Sequence, residues 1–200
     1  MTVSLWQIQD EYGVTSEEAL LEERRWALLS AEGDARAFRS IVERHHRGVH
    51  QFILRIVGSE ADTEELAQET FARAFVHMER FDPKYRLSTW LYRIALNLSR
   101  DHLRSAKRRE RPYEPGSNAL DPGELSTGPD MIVGAQYEAQ RLDRALAGLP
   151  DSYREVLILK DVEDFTFQEI AEITQCTVAG LKIRAVRARA AMRKKLERLA

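Results

Sequence analysis

The sequence predicts an all-α protein made of two small helical domains joined by an acidic flexible linker. Apolar residues recur at helical steps along most of the chain, with no alternating, strand-like run. Cap and break residues cut those stretches into helix-sized pieces. One stretch stands apart: Arg111 to Gln140 holds four of the six prolines, four of the ten glycines and five acids, and after Arg111 it has no Lys or Arg until Arg141. That composition suits a linker rather than a core. The expected organisation is an N-terminal extension over 1–21, a helical domain over 22–110, the linker over 111–139 and a second helical domain over 140–200.

In the first domain, helices are expected over Glu22 to Ser30, Ala35 to Val57, Ser59 to Met78 and Thr89 to Lys107, with Gly33 and Gly58 as breaks. A short Thr15–Glu18 capping box precedes them. On the third helix, Leu66, Phe71 and Phe75 form the buried side, and Asp62 to Glu69 gives an acidic, exposed face. Asp82-Pro83 makes a turn, and the loop of Phe81, Lys84, Tyr85 and Arg86 leads into a helix opened by Ser88 or Thr89. Phe81, Leu91, Ile94 and Leu98 are assigned to packing. In the second domain, Asp151 and Ser152 with Glu155 open a helix carrying Val156, Leu157 and Leu159, and Thr166 with Glu169 opens the next, carrying Ile170, Ala171 and Ile173. After a break at Gln175-Cys176, Thr177 caps a long final helix. Its buried stripe is Leu181, Ala185, Ala188 and Met192, and its cations lie mostly off that stripe.

Charge separates the functional classes. The net charge is only -2, yet Arg86 to Arg111 carries eight Lys or Arg against two acids, and Thr177 to Ala200 carries eight against one. Two basic islands in an acidic body fit a protein with two DNA contacts and a further, differently charged partner surface. The last two helices have the geometry of a helix-turn-helix, whose second helix enters the major groove. Between Arg80 and Arg104, aromatic residues interleave with cations, which supplies ring faces for base stacking and cations for phosphate. Tyr85, Trp90, Arg93, Asn97, Arg100 and Asp101 are the candidates for contact there.

Other classes find little support. No run of about 18 apolar residues exists, no secretory signal opens the chain, and the lone Cys176 cannot form an internal disulfide. A cytoplasmic protein without membrane insertion is expected. His45, His46 and His50 include an i, i+4 pair, but nothing completes a metal set. There is no P-loop, Rossmann glycine pattern or nucleophile elbow, so neither an enzyme nor a cofactor is expected. On the residues alone the rival is a helix-turn-helix regulator with a sensing domain, which has no need of the second, aromatic-basic surface.

The segments EELAQETFARAF, STWLYRIALNLSRDHLR, LPDSYREVLILKDVEDFTFQEIAEI and VRARAAMRKKL resemble regions 2.2, 2.4 and 4 of the extracytoplasmic-function sigma factors of the sigma-70 family, in order and spacing. The resemblance implies a region 2-like domain, a region 4-like domain and a factor that binds core RNA polymerase, recognises −10 and −35 promoter elements and promotes DNA opening. It implies docking on the polymerase β′ clamp helices through Asp62, Glu64, Glu65, Gln68 and Glu69, with the β flap as a further contact. The −10 element, duplex and single-stranded, would fall to Lys84, Tyr85, Arg86, Trp90, Arg93, Asn97, Arg100, Asp101 and Arg104. The −35 duplex would fall to Thr177, Ala179, Gly180, Lys182, Ile183, Arg184, Arg187 and Arg189. An anti-sigma factor is a further implied partner. One departure bears on readout: where the family resembles P-V-G-T-V-K-S-R, this chain reads Thr177 to Arg184 with Gly180 and Ile183 at the hydroxyl positions. DNA shape and backbone contact are therefore expected to carry more of the specificity.

Overall fold

The computed structural model describes residues 16–109 and 135–198, with side chains described over 17–108 and 141–198. The expectations for most of the linker and for residues 1–15 lie outside the described residues. Helices α1 (Ser16–Ala31), α2 (Ala35–Val57), α3 (Glu60–Val76) and α4 (Leu87–Arg109) come first, with a 3-10 turn over Met78–Arg80 before α4. Helices α5 (Ala135–Ala147), α6 (Asp151–Leu157), α7 (Phe167–Thr174) and α8 (Val178–Arg198) follow. Among the described residues there is no strand, and no helix is long and apolar enough to cross a membrane.

Local chemistry explains the breaks. Asp34 caps α2 by accepting from the Arg36 and Ala37 amides, and Gly58 ends it at φ 80, a left-handed conformation that costs glycine nothing. Ser59 caps α3. At α7 the expected capping box is complete: Thr166 accepts from the Glu169 amide while the Glu169 carboxylate accepts from the Thr166 amide. Gln175 takes the left-handed turn at φ 58, and the Thr177 hydroxyl accepts from the Gly180 amide to start α8.

Several expectations shift. α1 begins at Ser16, ahead of Glu22, and α5 begins at Ala135, inside the expected linker. α4 opens at Leu87, and the buried Ser88 and Thr89 hydroxyls make no capping bond. Pro150 stands at the α6 cap position, and no side chain caps that helix. Phe75 is 43% exposed and stacks edge-on against Phe38 rather than entering the core.

The buried side chains of α1–α4 and α5–α8 form one continuous hydrophobic cluster. Tyr92 on α4 sits at the join, with its ring 4.9 Å from both Phe52 and Phe165. Gly48, mid-way along α2, is explained by this packing: a Cβ there would stand 2.8 Å from the Tyr92 hydroxyl oxygen. Glycine inside a helix costs about 1 kcal/mol relative to alanine, and here that cost clears the tyrosine's path. Arg154 ties the halves at the backbone. Its guanidinium donates to the carbonyls of Leu146, Ala147 and Leu149 and, from Nη1, to that of Ile56 at 2.8 Å. Most of these belong to the last turns of α2 and α5, where carbonyls lack intrahelical donors.

Candidate nucleic-acid interface

Of the acids expected on the exposed side of α3, Glu64 and Glu65 are exposed, whereas Asp62 and Glu69 are half-buried. Gln68 is exposed, and Thr63, Leu66, Ala67 and Thr70 face the core. Part of the acidity is locally balanced: Arg73 donates to Glu69 at 2.7 Å, and the rings of His50 and His102 approach Glu64 and Asp62. Glu65 has no ion pair among the described residues, which leaves it the least compensated charge of the face.

The loop before α4 is shaped by Asp82, whose carboxylate accepts from the Lys84 amide and whose carbonyl accepts from the Tyr85 amide. This turn leaves Tyr85 53% exposed beside Lys84 and Arg86. The three residues share a shallow, open cleft with Leu20, Glu23, Arg24, Phe81 and Leu87. Along α4, Trp90, Arg93, Asn97, Arg100, Asp101 and Arg104 recur at steps of three and four and share one side of the helix. Trp90 is half-buried, its ring 5.5 Å from that of Phe81, so one edge packs while the other meets solvent.

One border of that side is covered by the C-terminal helices. Arg100 donates through Nε and Nη2 to the Glu155 carboxylate at 2.8 and 2.6 Å. Arg86 reaches Glu169 at 3.1 Å and Lys107 reaches Asp151 at 2.9 Å. The Tyr92 hydroxyl donates to Glu163 at 2.6 Å. Burial pushes the Glu163 carboxyl up, against the lowering effects of the Tyr92 bond and of Arg55. Burial also pushes the Tyr92 hydroxyl up, and the Glu163 carboxylate reinforces it. Glu169 moves down: burial opposes this, but the Thr166 amide and hydroxyl, then Arg86, outweigh it. Sequence reasoning assigned no role to Tyr92, Arg154 or Glu163, and read Glu155 as a helix-capping residue. Nothing local marks an acid that pairs with a cation 55 positions away.

The chain from α6 into α7 is reshaped by a π-helical turn over Ile158–Val162, closed by the Glu163 amide donating to Ile158. Such a turn marks a departure from regular helix and often sits at a working part of a protein. Here it delivers Glu163 to Tyr92, and Asp164 then turns the chain at φ 55.

α8 holds its expected stripe: Leu181, Ala185, Ala188 and Met192 are buried. Thr177, Ala179, Gly180, Lys182, Ile183, Arg187 and Arg189 are exposed. Arg184 is half-buried and turns back toward the Cys176 sulfur at 3.6 Å. Arg189 forms a two-point pair with Asp161 at 3.0 and 2.6 Å. Of the histidines, His45 approaches Glu23 and His46 stacks on Phe71. Among the described residues no cluster of three or more His, Cys, Asp or Glu could hold a metal ion.

Comparison with known proteins adds the following. The chain matches the family profile of sigma-70 region 2 over residues 41–109 and that of sigma-70 region 4 over residues 139–192. It is 34% identical over 176 residues to the ECF RNA polymerase sigma factor SigW of Bacillus subtilis, covering 84% of this chain and 93% of the relative. It is 28% identical over 176 residues to the ECF RNA polymerase sigma-E factor of Escherichia coli K12, covering 84% and 91%. The structure of CnrH in complex with the cytosolic domain of CnrY superposes with a TM-score of 0.68 at 27% identity, covering 90% of this chain and 99% of the other.

Proposed function

Since the chain belongs to the extracytoplasmic-function family of RNA polymerase sigma factors, which bind core polymerase and direct transcription initiation at promoters, we propose how its surfaces divide that work. The acidic side of α3, centred on Glu64, Glu65 and Gln68, docks on the polymerase clamp helices, and α8 lies in the −35 major groove. The loop of Lys84, Tyr85 and Arg86 with the outer side of α4 takes the −10 element. The protein acts as a non-enzymatic factor in the cytoplasm, where its polymerase and promoters are.

The observation that carries this reading is the shared side of α4: Trp90, Arg93, Asn97, Asp101 and Arg104 lie in line beyond the cleft at Tyr85. Opening a duplex requires a base to leave its stack at a cost of a few kcal/mol, which a ring face and a neighbouring cleft offset. The paired border of that surface supplies the regulation. With Arg86, Arg100 and Lys107 engaged by carboxylates of the C-terminal helices, the described arrangement is a resting form. An anti-sigma factor stabilises it, and polymerase separates its halves. The likeness of the whole arrangement to CnrH, solved in complex with the cytosolic domain of CnrY, supports this.

Glu64→Lys with Glu65→Lys tests the docking surface. Association with core polymerase, followed by fluorescence anisotropy, should weaken at least about tenfold, since two charges at the centre of the docking face are reversed. Run-off transcription from a cognate promoter should fall with it. Unaltered affinity would remove α3 from the polymerase contact.

A further inference from the structure

The outer side of α8 bears an apolar ridge that the fold does not use. At about 100° per residue, Ala179, Ile183, Val186 and Ala190 lie opposite the buried Leu181, Ala185, Ala188 and Met192. Ile183 is 56% exposed and Val186 is 66% exposed. β-branched residues form helices less readily than alanine, lysine or arginine, so helix formation gives no reason for them there. Single exposed apolar residues are ordinary on protein surfaces. These two share one ridge, however, and cations flank it on both sides. Lys182 and Arg193 lie along one flank, Arg187 and Lys194 along the other, all exposed and without an ion pair among the described residues.

We propose that Ile183 and Val186 read the upstream duplex through thymine methyl groups. The inference rests on the assignment of α8 as the recognition helix and deepens it. A helix in the major groove points its outer ridge at base edges and its flanks at the phosphates of the two strands. A ridge rimmed by cations on both flanks is complementary to that arrangement. Neither side chain has a donor or acceptor, so neither reads guanine, cytosine or adenine by hydrogen bonding. The C5 methyl of thymine is the apolar feature exposed on the major-groove edge. Ile183 and Val186 stand about 4.5 Å apart along the helix axis, close to the roughly 3.4 Å step of duplex DNA, which directs them to neighbouring base pairs. Ala179 and Gly180 keep the first turn small enough for close approach.

The test uses holoenzyme reconstituted with the full chain. Duplexes are selected from a pool randomised across the upstream element, and each thymine of the selected duplex is replaced in turn by deoxyuridine. This removes the methyl and keeps the base pair. One or two replacements should each weaken binding about fourfold, the effect of one buried methyl. Holoenzyme carrying Ile183→Ser and Val186→Ser should bind thymine and uracil duplexes alike, with an unchanged salt slope. Tolerance of uracil at every position by the unmodified protein, with salt-dependent promoter binding intact, would overturn methyl readout and leave α8 as the recognition helix. A salt slope indifferent to Arg187→Ala, with no upstream preference in the selected pool, would instead remove α8 from DNA recognition. Loss of a protein partner by the double variant, with duplex binding untouched, would make the ridge a protein-docking surface and overturn the proposal.

Discussion

The two cationic helices of this chain stand in opposite electrostatic situations. On α4 and the loop just before it, Arg100, Lys107 and Arg86 are engaged by Glu155, Asp151 and Glu169, all from the C-terminal helices. On α8, Lys182, Arg187, Arg193 and Lys194 are exposed and form no ion pair among the described residues, while Arg189 is held by Asp161 and Arg184 turns back to Cys176. The C-terminal helices therefore have two faces of opposite sign, with acids toward α4 and cations away from it. A polyanion reaches α8 directly, but along the covered border of α4 it competes with carboxylates already in place. Glu155 holds Arg100 through two charge-assisted bonds, against one contact each at Arg86 and Lys107, so an incoming phosphate has most to replace at Arg100.

The most damaging way to break this contrast is to cut the tie at Arg154. Burial lowers the pKa of its guanidinium, against the pull of Asp151 and Glu155, and the group still serves four carbonyls. Arg154→Ala should cost about 3 kcal/mol, because the carbonyls of Ile56, Ala147 and Leu149 lose its guanidinium as donor and only that of Leu146 keeps a second one, from the Leu149 amide, and thermal melting should fall by roughly 6–12 °C. X-ray scattering should show a larger radius of gyration, with α4 then as open as α8. Arg154→Lys should fall between the two, since an ammonium keeps the charge and loses the planar fork. An unchanged melting temperature in the alanine variant would remove Arg154 as the tie.

A smaller and more selective change acts at Glu155, which is 5% exposed and holds Arg100. A double-mutant cycle with Glu155→Ala and Arg100→Ala should return a coupling of about 1.5–3 kcal/mol. Glu155→Ala alone should also raise the affinity of the full chain for a mixed-sequence single-stranded oligonucleotide about tenfold, the ratio that 1.4 kcal/mol of lost competition provides. An affinity equal to that of the unmodified chain would mean that the C-terminal helices do not compete for α4.

The same contrast accounts for what could be read from the sequence. α8 was legible because its determinants are local: the Thr177 cap, the stripe at Leu181, Ala185, Ala188 and Met192, and the cations between them all follow from helical periodicity. The acidic side of α3 was legible for the same reason. The closed border of α4 depends on pairs such as Arg100 with Glu155 and Tyr92 with Glu163, separated by 55 and 71 positions. No periodicity connects such residues, and the Ser152–Glu155 spacing even suggested a capping box. The geometry gives that carboxylate to Arg100 and leaves α6 without a side-chain cap. Gly48 was equally opaque, because the only reason for it is a tyrosine on another helix.

The finest adjustment of the contrast is by pH, through Glu163. Its folded pKa is raised by burial, so its contribution to stability is full below its ordinary value of 4.5 and is lost as pH rises through the folded value. Glu23 and Glu169 run the other way: their folded values are lowered, so their contributions hold above 4.5 and are lost in acid. Above 4.5 the lowered pair adds no further pH dependence, while burial gives Asp143 the same upward direction as Glu163. The closed arrangement should therefore tighten as pH falls from neutral toward 4.5, read as a rise in melting temperature. Glu163→Gln keeps an acceptor for the Tyr92 hydroxyl and cannot ionise, so its melting profile should be flatter than that of the unmodified chain. Identical slopes for the two proteins would assign the pH response elsewhere and leave Glu163 as a packing contact of α4.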